Sequence, residues 1–370
     1  MRIFSSTLNI RIRLAAAATG LAAASLLTGP TAHAETGSPP ALTDGYGLTQ
    51  VGRAEGSPTN FVVTVTTPEV SGPHHIRIVV PGSYYTDPGR RFPVFYFLPG
   101  VGDDPGRPGL AYPALLAARQ MITVIPDGGL RGWYTDWARQ DTAAGAQKWE
   151  TFHLGQVVPF IDANFRTVTA RTGRAVGGLS MGGFGALNYA ENHPELFSQA
   201  VSLSGALDLG LYWVRTAIRG TLSNSGFALS GTSGSGDTPG GSTFGPAVPT
   251  DSVFGSLDEA GDLSAVLAHS PVAKADRLAG VGISLYTGAG DGNLLNLLRD
   301  EPAFAEAVTE AAQRGMKAAL DRLGHPAYAV DYGNGQGWGP NCQGKHASGC
   351  WAQDLVDYVP RLERSFAGAA

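Results

Sequence analysis

The sequence GLSMG, at residues 178–182, places a serine between glycines. An apolar run at 175–178 leads into it, and a helix-compatible segment at 184–192 follows. In this context a tight turn between a strand and a helix presents a serine hydroxyl as a nucleophile at the carboxyl end of a sheet. We therefore predict Ser180 as a nucleophile and the N–H of Met181 as a donor to an oxyanion.

A second oxyanion donor is expected from the loop FLPGVGDDPG, at residues 97–106, which follows an apolar run. Gly100 and Gly102 allow a backbone N–H of this loop to face a substrate, because glycine adopts conformations that other residues avoid. We choose the N–H of Val101 for this role.

A histidine base is expected late in the chain. In folds that carry a nucleophilic serine on such a strand-to-helix turn, the catalytic residues follow in the order serine, acid, histidine. The histidines after Ser180 are His193, His269, His325 and His346. Only His346 follows every predicted strand, in a glycine-rich loop ahead of a predicted final helix at 351–366. We predict His346 as the general base.

The only two cysteines, Cys342 and Cys350, lie four residues on either side of His346. If the chain is exported, as its N-terminus indicates, this pair is expected to form a disulfide. The bond would close a small loop around the base, with an entropic stabilisation of about 2.5 kcal/mol. Its main expected effect is to restrict the backbone of the histidine.

The acid is ambiguous from the residues alone. Asp291, in GAGDGN, directly follows the predicted strand at 282–287, and its position in the chain favours it. Glu306 lies on the polar face of the next helical pattern, which by itself predicts a solvated side chain. The residues alone therefore favour Asp291.

Strand and helix patterns alternate along the chain and predict the framework that holds these residues. Apolar runs typical of buried strands lie at 93–98, 121–126, 175–178, 200–203, 282–287 and 327–332, β-branched runs at 61–67 and 76–80 suggest an antiparallel edge pair, and helical stripes lie at 154–165 and 304–323. The alternation predicts an α/β fold whose mostly parallel central sheet carries helices on both faces.

The ends of the chain and its composition suggest the domain organisation. Residues 1–34 read as a secretory signal, with early arginines, an apolar run too short for a membrane span and an A-x-A cleavage pattern. Residues 35–57 are expected to be a loose lead-in, and 58–366 a single catalytic domain. The Gly/Ser-rich stretch at 223–250 is expected to be a flexible insertion in that domain.

Composition excludes several classes of protein. A net charge of −5 over 370 residues provides no basic surface for nucleic acid. No segment after the signal is apolar enough to span a bilayer, so the mature protein is expected to be secreted, with cell-wall association as a further possibility. Scattered histidines without ligand spacing predict no metal and no organic cofactor.

Over residues 58–362, the sequence resembles the antigen 85 mycolyltransferase and esterase D-like family of exported actinobacterial enzymes. GLSMGG followed by HPELF is similar to the nucleophile region of that family. WYTDW at 133–137, KWETF at 148–152 and GKHASGCWAQDL at 344–355 are more specific to it. The resemblance implies an α/β-hydrolase fold and serine acyl-transfer chemistry.

The resemblance also implies a different acid. In antigen 85-like members the acid is a glutamate ten residues before an apolar helix position, which Met316 fills here, so the acid is placed at Glu306 and Asp291 becomes the runner-up. Two departures concern the acceptor: Gly102 stands where the mycolyltransferases have an arginine associated with the sugar site, and Ser348 replaces a usual tryptophan. The resemblance therefore implies the acyl chemistry and leaves the acceptor open.

The resulting hypothesis is a secreted serine esterase that acts on small-molecule or lipid esters through an acyl-enzyme on Ser180. His346 is the base and Glu306 orients it. The alternative is a cell-envelope acyltransferase that passes the acyl group to a sugar such as trehalose. A non-enzymatic cell-wall-binding protein on the same scaffold is a third hypothesis, which an intact triad disfavours.

Overall fold

The computed structural model describes residues 37–223, 245–258, 261–290 and 300–368. These residues belong to one compact unit. The predicted signal at 1–34, most of the predicted insertion at 223–250, and Asp291 lie outside the described residues, so these assignments stay predictions.

In the described part of the chain, ten strands form a single mixed sheet. They are β1 (Thr49–Gln50), β2 (Glu55–Gly56), β3 (Asn60–Thr66), β4 (His74–Val79), β5 (Val94–Leu98), β6 (Ile122–Pro126), β7 (Arg174–Leu179), β8 (Gln199–Leu203), β9 (Gly282–Thr287) and β10 (Ala327–Asp331). The order is β1-β3-β4-β6-β5-β7-β8-β9-β10, with β2 paired to β3. Strands β5 to β10 pair in parallel, whereas β1 to β4 pair antiparallel.

The helices cover both faces of this sheet. They are α1 (Ser83–Thr86), α2 (Pro113–Leu116), α3 (Val158–Asn164), α4 (Met181–Asn192), α5 (Tyr212–Ser223), α6 (Ser264–Ala268), α7 (Glu301–Arg322) and α8 (Ser348–Gly368). A π-helical turn at Thr151–Val157 precedes α3, and 3₁₀ turns lie at Pro108–Leu110, Arg171–Gly173 and Pro271–Leu278. Within the described ranges, none of the helices combines the length and the apolar character that crossing a bilayer requires.

Strand β5 shows why the central strands read as continuous apolar runs. All five of its residues are buried. Successive side chains point to opposite faces, so Tyr96 joins the core beneath α3 and α4, whereas Phe95 and Phe97 join the core beneath α2 and α8. A strand with a core on each side has no polar face to show in its sequence. The predicted α/β-hydrolase fold is confirmed, and all eight predicted strands are present.

The segment at 35–57, predicted as a loose lead-in, contributes strands to the sheet in its described part. Thr49 in β1 pairs opposite Thr66, and Glu55 in β2 pairs opposite Val62. The expectation of a loose segment is therefore corrected. Strands of two residues are too short to show an alternating pattern, which is why composition alone suggested a loop.

Candidate active site

Ser180 occupies a sharp turn between β7 and α4. Its φ of 55° lies in the left-handed region, which is unusual for a residue with a side chain. A Cβ on Gly178 would lie 2.5 Å from backbone atoms of Gly182, and one on Gly182 would overlap the carbonyl oxygen of Leu98. Strand and helix approach as closely as glycine alone allows, and the surrounding structure holds the strained serine in place.

The structure brings three of the predicted residues into one hydrogen-bonded chain. Nε2 of His346 lies 2.8 Å from Oγ of Ser180, and Nδ1 of His346 lies 2.8 Å from Oε2 of Glu306. Both His346 and Glu306 are fully buried, and Ser180 is 5% exposed. This is the geometry in which an imidazole can take a proton from a serine while a carboxylate fixes its orientation.

The second oxygen of Glu306 is also fully engaged. Oε1 accepts hydrogen bonds from the N–H of Gly288 at 2.6 Å and from Oγ of Ser204 at 2.8 Å, with Oγ1 of Thr287 at 3.3 Å. A buried carboxylate is tolerated only when its oxygens are satisfied. These donors, from the ends of β8 and β9, fix the plane of the carboxylate toward His346.

The expectation from the helix pattern alone, that Glu306 is solvated, is wrong. Glu306, Thr309 and Gln313 share the polar face of α7, and all three are buried. The amide Nε2 of Gln313 donates to Oγ of Ser202 in β8 at 2.9 Å. This face of α7 is polar because it packs against polar groups at the end of β8. Among the described residues, Glu306 is the carboxylate that contacts His346.

The loop that carries the histidine is fixed by a disulfide. Cys342 and Cys350 are bonded, as predicted, with their Cα atoms 4.3 Å apart. The N–H of His346 donates to the carbonyl of Pro302 at 3.0 Å, in the first turn of α7. His346 is therefore tied both within its own loop and to the helix that carries Glu306.

An ion pair adds a further tie between the loop and α7. Nζ of Lys345 lies 2.6 Å from Oδ2 of Asp300, whose other oxygen caps α7 by accepting from the N–H of Ala303 at 3.0 Å. The hydrogen bond from Lys345 lowers the pKa of Asp300 below its usual range. Sequence reasoning did not identify this pair.

The loop after β5 passes beside the nucleophile, since a Cβ on Gly100 would lie 3.5 Å from Cβ of Ser180. The N–H of Gly100 donates to Oδ2 of Asp103 at 2.9 Å, and that of Gly102 donates to a backbone carbonyl. Between them, the N–H of Val101 donates no hydrogen bond within the described residues. This N–H is therefore available to donate a hydrogen bond to a ligand.

Met181, the other predicted donor, is the first residue of α4. The first N–H groups of a helix have no acceptor within the helix and carry its positive end. The predicted oxyanion donors thus lie on two different elements that meet at Ser180. Their roles stay predictions.

Two residues of the site were missed. Ser204 has a φ of 50°, donates to Oε1 of Glu306 and accepts from Nε1 of Trp351 at 3.2 Å. The ring of Trp351 packs edge-on against His346, with ring centroids 4.9 Å apart. Ser204 directly follows β8, and a polar residue at the carboxyl end of a buried strand was the available signal.

The parallel sheet and the serine turn that feeds α4 define an α/β-hydrolase fold with a serine-hydrolase type of site. Solved structures share this fold. Mycobacterium tuberculosis MPT51 (FbpC1) superposes with a TM-score of 0.61 at 20% identity, over 85% of this chain and 100% of that one. A ferulic acid esterase gives a TM-score of 0.55 at 20% identity, over 83% and 99% of the two chains.

Residues 67–362 match the model of the Esterase family, described as "Putative esterase", and the chain belongs to that family. Esterase Rv1288 of Mycobacterium tuberculosis (strain ATCC 25618 / H37Rv) is 40% identical over 169 residues, which are 45% of this chain and 36% of that protein. The chain thus matches just over a third of that relative's length.

A longer match links the chain to a second group of relatives. Diacylglycerol acyltransferase/mycolyltransferase Ag85C of Mycobacterium leprae (strain TN) is 26% identical over 252 residues, 67% of this chain and 66% of that protein. The resemblance to the antigen 85 and esterase family is confirmed.

Proposed function

We propose that the protein is a serine carboxylic-ester hydrolase that works through an acyl-enzyme on Ser180. The observation that carries the proposal is the hydrogen-bonded chain from Ser180 through His346 to Glu306, with both contacts at 2.8 Å. Membership of the Esterase family and a relative named as an esterase support it.

In the proposed reaction, His346 takes the proton of Ser180 as the serine oxygen attacks the ester carbonyl. The N–H groups of Val101 and Met181 bind the oxyanion of the tetrahedral intermediate. The alcohol leaves with the proton from His346, and a water molecule, activated by the same imidazole, then releases the acid. Glu306 holds the imidazole in orientation throughout.

The test is Ser180→Ala, measured with short p-nitrophenyl esters and with a fluorophosphonate label. We expect turnover to fall at least about a thousandfold, since the nucleophile is lost, with no change in unfolding midpoint. Ser198→Ala, which removes a partly exposed serine hydroxyl elsewhere, is the matched control. Retention of wild-type turnover in Ser180→Ala would refute the proposal.

An acyltransferase is the second candidate, because a relative named as a diacylglycerol acyltransferase and mycolyltransferase matches over two thirds of this chain. In that case a sugar such as trehalose, rather than water, accepts the acyl group. Adding trehalose to a steady-state ester assay separates the two. Acyl-trehalose formation at the expense of free acid supports transfer, whereas unchanged hydrolysis supports an esterase.

Export is part of the proposal. The predicted signal at 1–34 and the disulfide, a bond that persists in oxidising compartments, support a secreted protein. Mass spectrometry of culture supernatant is expected to find an N-terminus at Glu35. A chain retained in the cytosol with an intact N-terminus would contradict this.

A further inference from the structure

Two consecutive residues of the WYTDW sequence adopt left-handed backbone conformations. Trp133 has a φ of 52° and Tyr134 a φ of 46°, and both side chains are buried. Conformations of this kind persist in non-glycine residues only where the surrounding structure fixes them. The turn therefore has a specific set of contacts to explain it.

Tyr134 contacts the loop that carries Val101. Its hydroxyl donates to the carbonyl oxygen of Pro99 at 2.7 Å. Burial raises the pKa of Tyr134 well above its usual range, so the hydroxyl keeps its proton and stays a donor. A Cβ on Gly128 or on Gly185 would overlap the tyrosine, so the ring fits closely between α4 and the start of the loop that follows β6.

The neighbouring residue contacts the other proposed donor. The N–H of Trp133 donates to Sδ of Met181 at 3.3 Å, and its ring nitrogen donates to Oγ1 of Thr221 at 3.2 Å. The turn formed by Trp133 and Tyr134 thus contacts both Met181 and Pro99, the residue before Gly100.

The carbonyl of Pro99 and the N–H of Gly100 belong to the same planar peptide unit. Tyr134 binds the carbonyl end of this plane, and Oδ2 of Asp103 accepts from its N–H end at 2.9 Å. Fixing both ends of this plane restrains Gly100, the residue through which the chain reaches Val101.

We propose that Tyr134 is a positioning residue that sets the place of the Val101 N–H relative to the Met181 N–H. This inference rests on the proposed function, because it concerns the geometry of the proposed oxyanion hole. Preorganised donors stabilise a transition state only when they lie at hydrogen-bond distance from the developing oxyanion. A small displacement should therefore affect the chemical step and leave substrate binding largely unchanged.

The test is Tyr134→Phe, which removes one hydroxyl and keeps the ring. Tyr189→Phe is the matched control: it is equally buried, its hydroxyl contacts Nδ1 of His153 at 2.8 Å, and its ring lies 6.0 Å from that of Tyr134. We expect kcat to fall about 10- to 100-fold in Tyr134→Phe with KM changed less than about twofold. Affinity for a boronic acid, whose tetrahedral adduct on Ser180 uses the oxyanion hole, should fall in parallel.

Equal kcat and equal boronate affinity in Tyr134→Phe and Tyr189→Phe would overturn the inference. A second pair keeps it testable if Tyr134→Phe does not fold. Asp103→Asn and Asp103→Ala both remove a charge, but only the asparagine keeps an oxygen for the N–H of Gly100. We expect the alanine variant to have the lower kcat, and equal rates would count against the inference.

Failure of the proposed function has a separate signature. If wild-type protein does not turn over esters, or if Ser180→Ala still does, the serine-esterase proposal fails. If wild-type turnover depends on Ser180 and the tyrosine and aspartate pairs show no difference, only the positioning role fails.

Discussion

Glu306 binds donors with one oxygen and His346 with the other, which makes its replacement by glutamine informative. The donors on Oε1 will retain the amide oxygen, so the NH₂ group must face Nδ1 of His346. Nδ1 then becomes an acceptor, and Nε2 carries the proton and cannot accept one from Ser180. We expect Glu306→Gln to lower kcat about 10³- to 10⁴-fold.

Asp291→Asn is the natural control for that experiment. The position of Asp291 after β9 made it the rival acid, and the hydrogen-bonded contact of Glu306 with His346 favours only a mild effect on kcat. The two variants, assayed on the same p-nitrophenyl ester, rank the candidates directly. A larger loss in Asp291→Asn would return the role to that residue.

Asp354 provides a second prediction for a single residue. Its Oδ1 accepts from Nε1 of Trp338 at 2.7 Å, and within the described residues its fully buried Oδ2 has no partner. Burial raises the pKa of Asp354 well above its usual range. The folded state therefore keeps this proton where the unfolded chain has lost it, and stability falls as pH rises above roughly 4.

Asp354→Asn removes that ionisation and keeps an acceptor for Trp338. Its stability relative to wild type, measured by urea unfolding at each pH, should rise from pH 5 to pH 8. Asp87→Asn, at an exposed position, controls for loss of one charge. A constant difference across this pH range would rule out the explanation.

Individual site residues could be predicted from sequence where a residue type suited to catalysis lies in a recognisable local pattern. Ser180 needs glycines at fixed positions, and His346 follows the last strand, so both have local signals. Glu306 has none, because a polar residue on a helix usually faces water and the pattern cannot show a polar partner at a strand end. Only the resemblance identified it.

At the scale of elements, the loop from Cys342 to Cys350 holds His346 with one covalent bond, a few backbone contacts and the ion pair of Lys345 with Asp300. The N–H of Gly290 donates to the carbonyl of Gly344 at 2.8 Å, and Gly344 has a φ of 69°. Without the disulfide, these glycine-rich contacts leave the histidine backbone more freedom.

We expect a Cys342→Ser, Cys350→Ser variant to lose about tenfold in kcat, since a small displacement of the base is costly. Its free energy of unfolding should fall by no more than about 2.5 kcal/mol. Ester kinetics and urea unfolding measure the two effects, and reduction of the wild-type protein should reproduce them. Unchanged kcat would limit the bond to stabilising the loop.

Elements were predictable when their side chains meet a core in a regular pattern. The buried strands β5 to β9 have apolar runs, and the α7 stripe follows one helix face. The strands β1 and β2 are too short for any periodicity, and the π-helical turn ahead of α3 has the same apolar spacing as an ordinary helix. The two short strands are defined by their pairing with β3, and the π-helical turn by its i→i+5 hydrogen bonds, neither of which an apolar pattern shows.

For the whole molecule, the site depends on strands that end at one edge of the sheet. Ser180 follows β7, Ser204 follows β8 and Gly288 follows β9, and these strands are neighbours in the parallel part. The carboxyl ends of parallel strands point the same way, so strand order alone brings distant residues together. The alternation of strands and helices in the sequence predicts this edge. The position of α7, which brings Glu306 to the edge, depends on tertiary packing that the pattern does not show.

The disulfide also has a consequence for when the protein can work. Thiols stay reduced in the cytosol, so a copy that has not been exported lacks the covalent bond that closes the loop around His346. Ester cleavage should then be slow where the chain is synthesised and reach its full rate only after the chain enters an oxidising space. The same two cysteines would thus keep ester cleavage about tenfold slower inside the cell that makes the protein than outside it.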